Sequence, residues 1–231
     1  MAKRRSPRRN LSQRSELLFD THEYHVHTDT RELFLHSDTG NCEEDVEIGI
    51  DYRVANSFIK GMTFLEHQGS DPILIHVCSV GGDWEYGLAI FDRIAMSPCV
   101  VTTLSYAHAR SMSSILIQAA DYRVLSPNCD VLVHFGKVCY PEDRLEHVIA
   151  EADWVKQQNI RMLEIYAARC AKGPFFKRKK YGRAGVANFL QRKIRDSAEW
   201  YMDGRTAIDF GLVDAILGDP GFETLAELRG T

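Results

Sequence analysis

Three short stretches hold residues whose types and order could do chemistry. Gly81 and Gly82 follow the apolar run 73–78, Ser111 opens a helical run after the strand-like 99–104, and His134 closes the strand-like 131–134. Glycines leave backbone N–H groups free to face a ligand. A serine at a helix start sits among unpaired N–H groups, and a histidine at a strand end can offer one ring nitrogen to a hydroxyl. Together these are the materials of an oxyanion hole, a nucleophile and a general base. Taken singly, each has a plainer reading: a strand-to-helix turn, an N-cap and a rim histidine.

The elements that must position them follow from periodicity. Residues 52–67 read as a helix with Val54, Ala55, Phe58, Ile59, Met62 and Leu65 on one stripe. The run 73–78 reads as a buried strand of a parallel sheet, 86–96 as a helix and 99–104 as a strand. A helix begins near Ser111, and strands follow at 122–125 and 131–134. Strand alternating with helix means βαβ units and an α/β core. Ahead of these, 23–37 alternates as two short strands. The longest helical stretch, 141–172, opens on Pro141, Glu142 and Asp143 and stops at Gly173-Pro174. A helix of that length should project from the domain and pack against another subunit. A short helix at 205–210 and a last strand at 211–216 complete the pattern.

Bulk composition narrows the function classes. A chain of 231 residues fits one domain, and a net charge of -4 argues against a polyanion binder. No apolar run is long enough for a membrane span, and the basic start lacks the apolar core of a secretory signal. Residues 1–16 read as a basic, disordered arm, and 172–195 as a basic, solvated or interface loop in preference to a nucleic-acid surface. The end, 218–231, reads as a tail. The six cysteines form no CxxC pair and are expected to be reduced thiols of a cytosol-like compartment. His22, His25 and His27 lack the further ligands of a metal site, so a polar strand face is preferred and no metal is expected. No GxxxxGK[ST] occurs, so the chain itself should not hydrolyse ATP.

A resemblance joins the pieces. Gly81-Gly82-x4-Gly87-x-Ala89-Ile90-x-Asp92, Ala109-Arg110-Ser111-Met112, Pro127-x3-Val131-x-Val133-His134 and Ala207-x3-Gly211-Leu212-Val213-Asp214 occur in that order. They resemble the Clp protease proteolytic subunit (ClpP) family of serine peptidases over roughly 31–217, and four motifs in register are far more specific than any one. The resemblance implies a ClpP/crotonase-like fold of stacked βαβ units with a long protruding handle helix, in a domain spanning 17–217. It implies Ser111 as nucleophile, His134 as general base, and the N–H groups of Gly82 and Met112 as oxyanion hole. The third triad position falls on Glu199, with Asp196 as the competing acid. It further implies no cofactor, assembly with itself in heptameric rings stacked in pairs, and an AAA+ unfoldase ATPase that feeds unfolded protein. The implied location is cytoplasmic or the equivalent stroma or matrix.

The chain departs from the family pattern at several places. Val80 stands where a proline is usual, Arg110 where the residue before the nucleophile is small, and Phe135 where a glutamine often follows the histidine. Tyr106 or His108 replaces a glycine in the approach to the serine, and the basic stretch 172–190 reads as an insertion. Three other readings remain beside the peptidase: an inactive ring subunit, a crotonase-type acyl-CoA enzyme, and a Ser–Lys signal-peptide peptidase relative.

Overall fold

The computed structural model describes residues 11–36, 47, 49–137 and 144–230. Aliphatic runs build an eight-stranded sheet: β1 (Val26–His27), β2 (Glu32–Leu35), β3 (Ile73–Ser79), β4 (Val101–Arg110), β5 (Tyr122–Leu125), β6 (Asp130–His134), β7 (Glu199–Met202) and β8 (Ala215–Ile216). Neighbours run β1-β2-β3-β4-β5-β8, while β6 pairs with β4 and β7 with β6. Pairing is parallel except at β1–β2 and β6–β7.

The path of β4 decides where the site lies. Its first half pairs with β5, Thr102 through Ser105 facing Tyr122 through Leu125, and its last three residues pair with β6 instead. The exchange of partners falls at Tyr106–His108, where the register against β3 slips between Val77 and Ser79 and Ala107 adopts φ 53. An irregularity of this kind bends a strand and re-aims the residues beyond it. The residue in the approach that takes the left-handed conformation is therefore Ala107, between Tyr106 and His108.

Helices cover the sheet: α1 (Leu11–Glu23), α2 (Tyr52–Gln68), α3 (Trp84–Ala95), α4 (Met112–Leu116), α5 (Leu145–Cys170), α6 (Pro174–Arg178), α7 (Arg183–Ser197), α8 (Gly204–Phe210) and α9 (Leu225–Leu228). Asp51 and Asp83 cap α2 and α3 by accepting N–H bonds of 2.8–3.2 Å, which starts α3 two residues before its apolar stripe suggests. Alternation along β3 divides the apolar residues between two faces. Ile73, Ile75 and Val77 join the main core, whereas Leu74 packs with Leu104 and Val124 under Leu228 of α9. The long helix α5 buries Met162, Leu163, Ile165, Tyr166, Ala167 and Cys170 in its C-terminal half, while Leu145, Ile149 and Trp154 are exposed, as expected of a projecting helix.

Several expectations are revised. Residues 11–16, read as part of a disordered arm, lie in α1, and 1–10 are outside the described residues. The basic stretch is not a loop. It forms α6 and α7, whose Phe176, Val186, Leu190 and Ile194 are buried while the charged side chains face out. Phe175, Phe176, Phe189 and Phe210 pack ring on ring, with centroids 4.7–5.9 Å apart. Residues 199–202 are a strand, and the tail carries α9, which covers the second apolar cluster. The expected helix start at Pro141 lies outside the described residues.

Candidate active site

β4 and β6 run parallel in the register Arg110↔Leu132, so their C-terminal ends lie side by side. The next N–H, that of Ser111, donates to the Leu132 carbonyl at 3.0 Å. One residue past β4 the chain turns sharply into α4, with Ser111 at φ 52, ψ -124. A non-glycine residue in that region is strained and persists only where its surroundings hold it. The Ser111 side chain does not cap α4. Its Oγ lies 2.7 Å from His134 Nε2 instead.

The imidazole is oriented from its other side. His134 Nδ1 lies 2.7 Å from the carbonyl oxygen of Phe135, which can only accept. The neutral ring therefore carries its proton on Nδ1 and presents an unprotonated Nε2 to the serine hydroxyl. Glu199 stands directly opposite His134 in the β6–β7 register. Its carboxylate faces elsewhere, 3.6 Å from Lys137 Nζ and accepting from the Tyr201 hydroxyl at 3.2 Å. Asp196 is exposed in the last turn of α7 and does not line the cleft.

The two glycines are held by a crossing strand. Ile50 N–H donates to Gly81 C=O at 2.6 Å and Asp83 N–H to Ile50 C=O at 2.8 Å, a parallel bridge between Ile50 and Gly82. This pairing uses the atoms on either side of Gly82 and none of its own. There is no room for side chains: a Cβ on Gly82 would lie 2.2 Å from Ile50 N, and one on Gly81 2.6 Å from Ser111 Cβ. Met112 is the first residue of α4, where an N–H has no partner within the helix. Gly82, Ser111, Met112 and His134 line one cleft of about 290 Å³, with Gln158 and Asn159 of α5 on its far wall.

The departures acquire physical reasons. Val80 N–H donates to Glu47 Oε1 at 3.2 Å, a bond that a proline could not make. Arg110 points away from the cleft, makes a forked pair with Asp130 at 2.7 and 2.5 Å, and lies over the Tyr201 ring at 5.5 Å. Tyr106 reaches His76 on the opposite side of the sheet. The motif Gly211–Asp214 is structural here: the buried Arg123 binds Asp214 at 2.6 Å and the carbonyls of Gly211 and Leu212 at 3.1 Å. Sequence reasoning passed over the Phe135 carbonyl, the Ile50 crossing, and the contacts of Ser114 and Tyr166. They left no local signal, being backbone atoms or partners distant in sequence.

A serine on a strained strand-to-helix elbow, with an imidazole nitrogen on its hydroxyl and glycine N–H groups nearby, is the kind of site found in serine hydrolases. Comparison with known proteins narrows the class. The Clp protease family model matches residues 44–220, most of the chain. An ATP-dependent Clp protease proteolytic subunit of Chaetosphaeridium globosum is 23% identical over 173 residues, covering 74% of this chain and 79% of that one. The solved structure of a ClpP1 point mutant from Listeria monocytogenes superposes with a TM-score of 0.62 at 20% identity, covering 87% of this chain and 96% of that one. The chain belongs to the Clp protease family. It is a divergent, ClpP-like peptidase subunit that hydrolyses peptide bonds, and the alternative readings are not favoured.

Proposed function

We propose that Ser111, His134 and the N–H groups of Gly82 and Met112 are the working parts of this peptidase. The observation that carries this reading is the 2.7 Å contact between Ser111 Oγ and His134 Nε2, made by a serine that does not cap its helix. Ser111 Oγ attacks the carbonyl carbon of a peptide bond while His134 Nε2 takes the hydroxyl proton. The carbonyl oxygen becomes an oxyanion held by the two N–H groups. Collapse breaks the C–N bond, the leaving amine takes the proton from His134, and an ester remains on Ser111. Water, deprotonated by His134, then repeats the attack and releases the acid. Glu199 is the acid proposed to support the imidazolium, because it is the cross-strand neighbour of His134; Asp196 is the other candidate. No step calls for a cofactor or a metal.

The finer reading is a serine endopeptidase subunit that assembles with copies of itself in heptameric rings stacked in pairs. The rings enclose the sites and receive unfolded protein from a separate AAA+ ATPase. The exposed apolar residues of α5, Leu145, Ile149 and Trp154, support burial against another copy. The name of the Chaetosphaeridium globosum relative supports the ATP-dependent partner. A cytoplasmic, stromal or matrix location fits the free thiols of Cys78, Cys99, Cys129 and Cys170.

A fluorophosphonate probe tests the site, since it labels a serine only where the hydroxyl is activated. The wild-type chain is expected to be labelled at Ser111 and to cleave short fluorogenic peptides. Ser111→Ala is expected to lose the label and at least about 10³-fold in kcat. Full peptide cleavage by Ser111→Ala would overturn the assignment.

A further inference from the structure

Ser114, two residues into α4, is fully buried and its hydroxyl has three neighbours. Its Oγ lies 2.7 Å from the Ser111 carbonyl, 3.0 Å from the Leu132 carbonyl and 2.6 Å from the Tyr166 hydroxyl. Two of these neighbours accept only, so the single Ser114 proton goes to the carbonyls, the Ser111 oxygen being the nearer. Tyr166 must then donate to Ser114 Oγ. Its ring is 1% exposed in the buried half of α5, and burial pushes its phenol above the ordinary range, which keeps that proton in place.

The Ser111 carbonyl and the Met112 N–H belong to the same planar trans peptide unit and point in opposite directions. A group that grips the carbonyl on the core side therefore fixes the direction of the N–H on the cleft side. The grip is doubled, because the Ser114 N–H also donates to the Ser111 carbonyl at 3.0 Å. The unit needs holding, since Ser111 sits at the strained φ 52, ψ -124 and turning the peptide would relieve that strain.

We propose that Ser114 and Tyr166 are positioning residues that clamp the Ser111–Met112 peptide so that the Met112 N–H faces the developing oxyanion, linking α5 to the oxyanion hole. The clamp rests on the hydrolase reading above and adds to it the device that keeps one donor aimed. A merely structural bond between α5 and the core would change thermal stability and leave the chemistry alone. A clamp changes kcat, because the Met112 donor acts on charge that develops in the transition state.

The test compares Tyr166→Phe, Ser114→Ala and the double variant with the wild-type full chain, after confirming matched folding by circular dichroism. Each single variant is expected to lose about tenfold in kcat, part of the 10²–10³ that a complete oxyanion donor supplies. KM stays within about twofold, since the ground-state contacts are untouched. The pH profile keeps its position, because neither ring nitrogen of His134 loses a partner. A peptide aldehyde, whose adduct with Ser111 carries the oxyanion, weakens by the same factor as kcat. The double variant loses no more than either single one, since both break one device. Wild-type kcat in the single variants, or losses that multiply in the double, overturns the clamp. If Tyr166→Phe does not fold, Ser114→Ala carries the same expectation alone. A wild-type chain that neither cleaves peptides nor takes the fluorophosphonate overturns the hydrolase reading and the clamp with it. An active wild type with an unimpaired Ser114→Ala overturns the clamp only.

Discussion

His134 and His76 sit on parallel strands, and each has a partner on both ring nitrogens. His76 Nε2 lies 2.6 Å from Glu32 Oε2 and its Nδ1 lies 3.0 Å from the Tyr106 hydroxyl. The ring is stacked between Phe34, at 4.7 Å, and Tyr106, at 5.7 Å. Glu32 also takes Arg229 Nε at 2.7 Å, which fastens the C-terminal segment to β2. In the neutral state His76 donates from Nε2 and accepts at Nδ1, the reverse of His134. Among the described residues, His76 thus has the carboxylate contact that His134 lacks, and His134 has a serine hydroxyl beside an open cleft where His76 has the Tyr106 phenol. An imidazole–carboxylate pair is by itself a cohesive unit. Chemistry requires a nucleophile on the free nitrogen and room for a substrate beside it.

Exchanging the two histidines' fates is the sharpest way to break this comparison. His134→Ala is expected to lower kcat for peptide cleavage by about 10⁶-fold and to shift unfolding free energy by less than about 1 kcal/mol. His76→Leu is expected to do the opposite. It leaves a buried carboxylate without its imidazole, costing about 2–3 kcal/mol in urea unfolding, with peptide cleavage close to wild type in the folded fraction. Loss of cleavage in a well-folded His76→Leu variant would merge the two regions into one functional unit.

The second effect concerns acid. Burial alone would raise the Glu32 carboxyl, but hydrogen bonds from His76, Thr30 and Arg229 outweigh it and hold the group at about 2, against an ordinary 4.5. A carboxyl depressed in the folded state contributes stability that is complete above its unfolded value. That contribution is lost as the pH falls from about 4.5 toward about 2, and the difference corresponds to about 3 kcal/mol. Unfolding followed at stepped pH should show this fall in the wild type and a shallower one in Glu32→Gln. Parallel curves would mean that the clasp contributes nothing in that window.

The same contrast explains what the sequence disclosed. The helices α2 and α3 and the strands β3, β5 and β6 are legible because their apolar spacing is local and uninterrupted. Ser111 and His134 are legible because parallel strands bring their C-terminal ends together, so residues at two strand ends become neighbours without further information. The region around His76 is illegible for the opposite reason. Glu32 and Arg229 lie 197 positions apart, and nothing near either one names the other. In α7 the helical spacing of Val186, Leu190 and Ile194 is present but diluted by Arg183, Arg192, Lys193 and Arg195. Four residues, Glu199–Met202, alternate as a strand should, yet only pairing with β6 makes them one. That missing pairing is why the acid of the site was the least defined of its residues.

Glu199 brings the comparison down to its smallest expected effect. In His76 the carboxylate touches the ring; in His134 the Phe135 carbonyl takes that place, and it already fixes the tautomer and the orientation. What a carbonyl supplies poorly is charge to balance the imidazolium that forms during attack. In the mechanism proposed above, Glu199, across the strand pair and 3.6 Å from Lys137, would supply that charge from a distance. Glu199→Gln should therefore cost about tenfold in kcat, or about 1.4 kcal/mol of transition-state stabilisation. An acid that sets the tautomer is worth about 10⁴. Asp196→Asn, exposed and outside the cleft lining, should leave kcat unchanged. A loss near 10⁴ in Glu199→Gln would mean that the carboxylate leaves Lys137 and turns onto His134 Nδ1 when substrate binds. His134 would then acquire during turnover the partner that His76 holds permanently, and the difference between the two histidines would reduce to the nucleophile and the cleft beside it.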